Sequence, residues 1–146
     1  MKKLIVVLLL IMITVSCSSQ KAYSDFDISY SKSGGYAPIY ENLLIKGSDV
    51  QYSFEGQEKK IKTTFQLSNE EILNLNQVLN ENNFRHIAED HKKIYDRVAI
   101  AINVKKGKNS ANKTDASMIM PQSKKNWDQV VNAFQNIINK NVKNTQ

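Results

Sequence analysis

From Phe26 onward the chain shows two hydrophobic periods, one after the other. Phe26-Asp27-Ile28-Ser29-Tyr30-Ser31 places apolar side chains at every second position, the period of a half-buried strand. Gly34-Gly35 interrupts it with two residues free to take positive φ, as a tight turn requires. Tyr36 to Ile45 resumes an extended pattern, and Pro38, which has no N–H to give to a ladder, belongs at an edge or a bulge. Gly47-Ser48-Asp49 predicts a turn, Val50 to Phe54 a third strand, and Glu55-Gly56-Gln57-Glu58 another turn. Ile61, Thr63 and Phe65 mark a fourth strand on alternate positions.

The period then lengthens. Ser68-Asn69-Glu70-Glu71 matches a capping box, in which the Ser68 hydroxyl and the Glu71 carboxylate each take a backbone N–H of the other. Ile72, Leu75, Val78 and Leu79 follow at three- and four-residue steps, with Leu73 beside them, predicting an amphipathic helix over 69–83. Asn74, Asn76, Asn80, Asn82 and Asn83 in it are weak helix formers, so burial of the stripe has to hold it. Phe84 closes that end into the core, and 86–93 is a polar connector. Val98, Ile100, Ile102 and Val104 form the clearest strand of the chain. Lys106-Gly107-Lys108-Asn109 turns it, and Thr114 to Met120 is the expected hairpin partner, stopped by Pro121. Ser123 is a cap for the last helix, in which Trp127, Val130, Val131, Phe134, Ile137 and Ile138 form one apolar stripe. A core role for this stripe is expected, with fraying from Asn139.

The resulting order is β-β-β-β-α-β-β-α. Successive hairpins favour an antiparallel sheet of about five to six strands, and two one-faced helices favour packing on one side of it. The expectation is a single α+β domain over 26–142, with a frayed tail at 143–146.

The first residues, MKKLIVVLLLIMITVSC, follow neither period. Lys2 and Lys3 precede ten apolar residues, Leu4 to Ile13, the length of a signal-peptide core and too short to span a bilayer. The segment resembles the bacterial lipoprotein signal, with small Ser16 before Cys17. That resemblance implies a leader over 1–16, a lipidated Cys17 and a polar tether over 17–25. Cys17 is the one cysteine in the sequence, so it has no internal disulfide partner, and conversion of its thiol to a thioether accounts for it. Acyl chains contribute about 0.8 kcal/mol per buried CH₂, enough for two or three of them to anchor the protein lastingly. Ser18, not Asp, follows the cysteine, which by the same resemblance implies an outer-membrane position facing the periplasm, with surface exposure as the alternative.

Charge and motifs narrow the chemistry. Loss of Lys2 and Lys3 with the leader takes the net charge from +6 to +4. The basic run at Lys105, Lys106 and Lys108 flanks a turn, the pattern of a solvated hairpin tip. It lacks the interleaved aromatics of a nucleic-acid surface, so no nucleic-acid partner is expected. The sequence contains no nucleophile elbow, P-loop, H-E-x-x-H or C-x-x-C. His86 and His91 with Glu89 and Asp90 are the nearest approach to a metal set. A five-residue step puts the histidines about 140° apart on a helix, and on opposite faces of a strand. A polar connector is the expected role, with no metal and no cofactor. Asp96, ahead of the apolar strand, has no catalytic partner evident in sequence. The expectation is a non-enzymatic chain.

Tyr30, Tyr36 and Tyr40 surround Gly34-Gly35. Tyrosines give large contact area at low conformational cost, so these five residues are the candidate partner-binding set. The stretch from Ile28 to Ala37, an alternating strand with Lys32, the Gly-Gly pair and Tyr36, resembles the opening of emfourin-like proteins and related uncharacterised lipoproteins. The later layout over 26–140 fits the same pattern. Emfourins inhibit thermolysin-like metalloproteases by binding them. The resemblance therefore implies a loop at Gly34-Gly35 that presents a contact surface to a protease. Two functional readings follow: a membrane-anchored, non-catalytic protein-binding domain of inhibitor-like kind, or a structural or assembly accessory lipoprotein of the cell envelope recognised through a sheet edge.

Overall fold

A computed structural model describes residues 25–92 and 96–142. Cys17, the leader and the tail at 143–146 lie outside the described residues. The alternating segments form six strands: β1 (Ile28–Gly34), β2 (Ile39–Lys46), β3 (Asp49–Gly56), β4 (Lys59–Gln66), β5 (Val98–Val104) and β6 (Ala111–Thr114). The helices are α1 (Asn69–Glu81) and α2 (Pro121–Val142), with a short 3₁₀ turn at Phe84–His86. All pairings are antiparallel, and the order across the sheet is β4-β3-β2-β1-β5-β6. The first four strands meander outward from β1; the chain then returns through α1 and lays β5 on the other side of β1. The expected α+β architecture is the one observed.

Register decides which side chains meet. Tyr30 stands opposite Leu43 on one side and Ile102 on the other, and Leu43 opposite Tyr52. This row, with Ile45, Val50 and Val104, forms the apolar face of the sheet, and the helices cover it. Leu75 and Leu79 of α1 and Trp127, Val130, Phe134, Ile137 and Ile138 of α2 are buried there. The Tyr30 and Phe134 rings stack with centroids 5.5 Å apart and planes at 19°. On the opposite face the register aligns Ser29, Ser31, Asn42, Leu44, Gln51, Ser53, Lys62 and Thr64. That polar face needs no covering layer.

α1 starts as its sequence predicts. Ser68 Oγ accepts from the Glu71 N–H at 3.2 Å, and the Glu71 carboxylate accepts from the Ser68 N–H at 2.8 Å. The same carboxylate accepts from Lys140 Nζ at 2.9 Å, tying the start of α1 to the end of α2. Lys140 foremost, then the Ser68 N–H, holds the Glu71 carboxyl down to about 2.

Three local expectations need correction. The partner of β5 is Ala111–Thr114, not Thr114–Met120. Pairing begins at the tight turn, Val104 opposite Ala111, and ends at Ala101 opposite Thr114. There Asp115 takes over, its carboxylate accepting the Ile100 N–H at 2.7 Å. Ser123 is no N-cap, because α2 begins at Pro121, whose fixed φ suits the first helical position. The Ser123 hydroxyl instead accepts the Ala88 N–H at 3.1 Å. The last helix also continues through Val142 rather than fraying from Asn139.

Candidate functional site

The β1–β2 connection is built around one crowded glycine. Gly34 pairs with Ile39 on one side and Val98 on the other, so it is enclosed by two strands. Its φ is +107°, and a Cβ there would lie 2.6 Å from the Arg97 carbonyl oxygen. Gly35 follows at φ +91°. These two residues turn the chain outward so that residues 35–38 project beyond the sheet. Tyr36 sits on that projection, fully exposed, and Pro38 is exposed within the turn rather than inside a strand.

Of the predicted tyrosines, the structure keeps two at the surface. Tyr40, 55% exposed, lies on the polar face opposite Ser33 and Glu55. Tyr30 belongs to the core and drops out of the candidate surface: it is 0% exposed, stacked on Phe134, with its hydroxyl accepting from Gln135 at 3.2 Å. Burial is the main cause that pushes the Tyr30 phenol up to about 12. Tyr52, two strands away, is likewise raised by burial and donates to Glu41 at 2.9 Å. These phenols stay neutral at physiological pH and brace the apolar face from within.

Sequence reasoning missed Val98, which is 37% exposed beside Gly35. A Cβ on Gly35 would lie 3.0 Å from Val98 Cγ2. Only the β1–β5 register, a pairing across 64 residues, reveals that neighbour. Arg97 supports the same end: Nη1 donates to the Ser117 carbonyl at 2.8 Å and Nη2 lies 3.8 Å from Asp115. The strand ends thus carry Tyr36 on the projecting turn, Tyr40 on the polar face and Val98 on the helix-covered face.

The other sequence candidates are dispersed. His86, His91 and Asp96 are all exposed. Among the described residues no group of three or more His, Cys, Asp or Glu is placed to hold a metal ion. Glu89 and Asp90 are engaged in structure, the Glu89 carboxylate accepting from the Thr114 N–H and the Asp90 N–H reaching the Met118 carbonyl at 2.8 Å. The connector is thus zipped to 118–120, with Ile87 and Ile119 buried beneath it. A recess of about 420 Å³ lies at the opposite end of β1, between α1 and the β5–β6 turn. Ile45, Leu67, Leu75 and Val104, all nearly buried, close its floor, and Asp27 and Lys106 pair at 3.0 Å on its rim. Lys106 foremost, then the Gly47 N–H, lowers the Asp27 carboxyl.

No family model matches the chain, and no curated protein matches it significantly. Among the described residues no helix is long and apolar enough to cross a membrane.

Proposed function

We propose that this chain is an envelope lipoprotein, anchored through acyl groups on Cys17, whose α+β domain is a non-catalytic protein-binding module of inhibitor-like kind. The observation that carries the binding reading is Tyr36, fully exposed on a glycine-defined projection at the end of the sheet, with exposed Tyr40 at the start of β2. An exposed aromatic on a pre-organised loop suits recognition, because little entropy is lost when it docks. The leader and Cys17 support the anchoring; Ser18 supports a position facing the periplasm.

The partner class that the emfourin-like opening suggests is a thermolysin-like metalloprotease. The test is titration of such a protease with the full chain in detergent. Wild type is expected to lower peptide hydrolysis stoichiometrically, and a Tyr36→Ala/Tyr40→Ala variant to lose at least tenfold in affinity. Hydrolysis unchanged by an excess of wild type removes the inhibitor-like reading. A photo-crosslinking residue at position 36, in intact cells, then decides whether the loop touches any protein. Crosslinks at 36 absent from a control at exposed Leu73 support the binding module, and identical patterns at the two positions refute it.

A further inference from the structure

Among the described residues, one long side of the sheet has no strand paired to it. β4 forms an outer edge, and all eight of its residues pair with β3 alone. Its turn places Gln57 and Glu58 at positive φ, with Gly56 opposite Lys59. In a two-residue hairpin of this kind the closing pair exchanges both hydrogen bonds, and bonded pairs then recur at every second residue. Lys59, Ile61, Thr63 and Phe65 therefore direct their backbone groups at β3. The Leu67 N–H bonded to the Ser48 carbonyl at 2.9 Å continues that series. Lys60, Lys62, Thr64 and Gln66 are left with N–H and C=O groups pointing away from the sheet, a template for another strand.

The side chains select what that strand is. Lys60, Lys62 and Thr64 stand on the polar face, and Ile61 and Phe65, both half-buried, on the helix-covered face. Lys60 pairs with Glu55 at 3.1 Å, whereas Lys62 has no acidic partner among the described residues. Beside Lys62 the polar face dips into a trough of about 290 Å³ lined by Asn42, Gln51, Ser53 and Thr64. Edge lysines discourage indiscriminate pairing. They also discourage a second copy of this chain. In a two-fold pairing, residues of equal parity face each other. Of the registers with greatest overlap, one sets Lys62 against its own copy, and the next leaves the two Lys62 side chains as diagonal neighbours about 7 Å apart. An acidic strand meets the opposite condition.

We infer that β4 is a docking edge for an extended protein segment in which acidic residues, facing Lys60 and Lys62, alternate with apolar residues facing Ile61 and Phe65. This rests on reading the domain as a binding module but uses a different surface from the tyrosine loop. Ladder hydrogen bonds supply affinity, and the two lysines supply the choice of partner.

The test uses the full chain in detergent and two end-labelled nonapeptides, one alternating Glu with Val and one alternating Lys with Val. Fluorescence anisotropy is expected to show at least tenfold tighter binding of the Glu peptide, and Lys62→Glu to cut that preference at least fivefold. Thr64→Pro removes an outward N–H and leaves the β3 ladder intact. It should keep the unfolding midpoint and abolish binding. Amide exchange should slow at residues 60–66 when the Glu peptide is added. Equal binding of the two peptides, binding retained in Thr64→Pro, or slowed exchange only at residues 35–40 would overturn the inference. A dimer in sedimentation that Thr64→Pro dissolves would overturn it in favour of a second copy. Tyr36→Ala separates the two surfaces. It is expected to leave Glu-peptide binding unchanged. Loss of that binding in Tyr36→Ala with retention in Thr64→Pro overturns the edge, whereas the loop stands or falls on the protease titration.

Discussion

Replacing Gly34 by alanine measures how rigid the base of the loop is. At φ +107° an L-residue carries backbone strain of about 1–3 kcal/mol. The added Cβ also lies 2.6 Å from the Arg97 carbonyl oxygen, a backbone atom that cannot swing aside. Relief requires β1 and β5 to part at this end, where the adjacent Ser33–Ala99 pair carries the ladder hydrogen bonds, losing about one of them, about 1 kcal/mol. The alanine stiffens the unfolded chain, returning about 0.4–1 kcal/mol. The net expectation is a loss of about 1–3.5 kcal/mol. Urea denaturation, followed by the fluorescence of buried Trp127, the one tryptophan, reads it directly. With a slope of about 2 kcal/mol per molar, the midpoint should fall by about 0.5–2 M. Gly107→Ala is the control, because φ is +82° there but open space surrounds the new Cβ. It should cost about 1 kcal/mol from strain alone. Equal losses in the two variants would show that the contact with Arg97 does not constrain the turn, and the rigid-base reasoning would be wrong.

Tyr36→Ala should change stability by less than about 0.5 kcal/mol in the same assay, since the side chain is fully exposed. Phe134→Ala should cost about 3–5 kcal/mol and loosen Tyr30, whose ring it covers, seen as a shift of the Tyr30 ring signals by NMR. Glu71 titrates near 2 when folded and near its ordinary 4.5 when unfolded, so its contribution is full above about pH 5 and is lost as pH falls toward 2. Lys140 is two-thirds exposed, so screening reduces that contribution to about 1 kcal/mol; Glu71→Gln should flatten this part of the stability–pH curve by that amount. A curve superposable on wild type between pH 2 and 5 would show the tie between α1 and α2 to be inert.

Much of the fold was legible because its signals are local. Ser68 and Glu71 need only each other to start α1, and the alternation from Val98 to Val104 marks a strand without reference to anything else. Where two distant segments decide, sequence reasoning failed. Period two says that Tyr30 points to one face, but not which face receives α2; Gln135 and Phe134, more than a hundred residues on, settle its burial. Val98 at the loop base and the exposed status of β4 follow from strand order, which no local pattern encodes. Thr114–Met120 looked strand-like because it follows a turn, yet the Asp115 carboxylate ends the pairing there.

The anchored-module account turns most directly on the chemistry of Cys17, and the mass of the intact chain extracted from membranes of the producing cells measures it. The account predicts a mature chain beginning at Cys17 and heavier than its amino-acid sequence by a diacylglyceryl group and an amide-linked acyl chain, with Cys17→Ala leaving an uncleaved, unacylated product. A chain recovered from the soluble fraction with its thiol free and no added mass would contradict it.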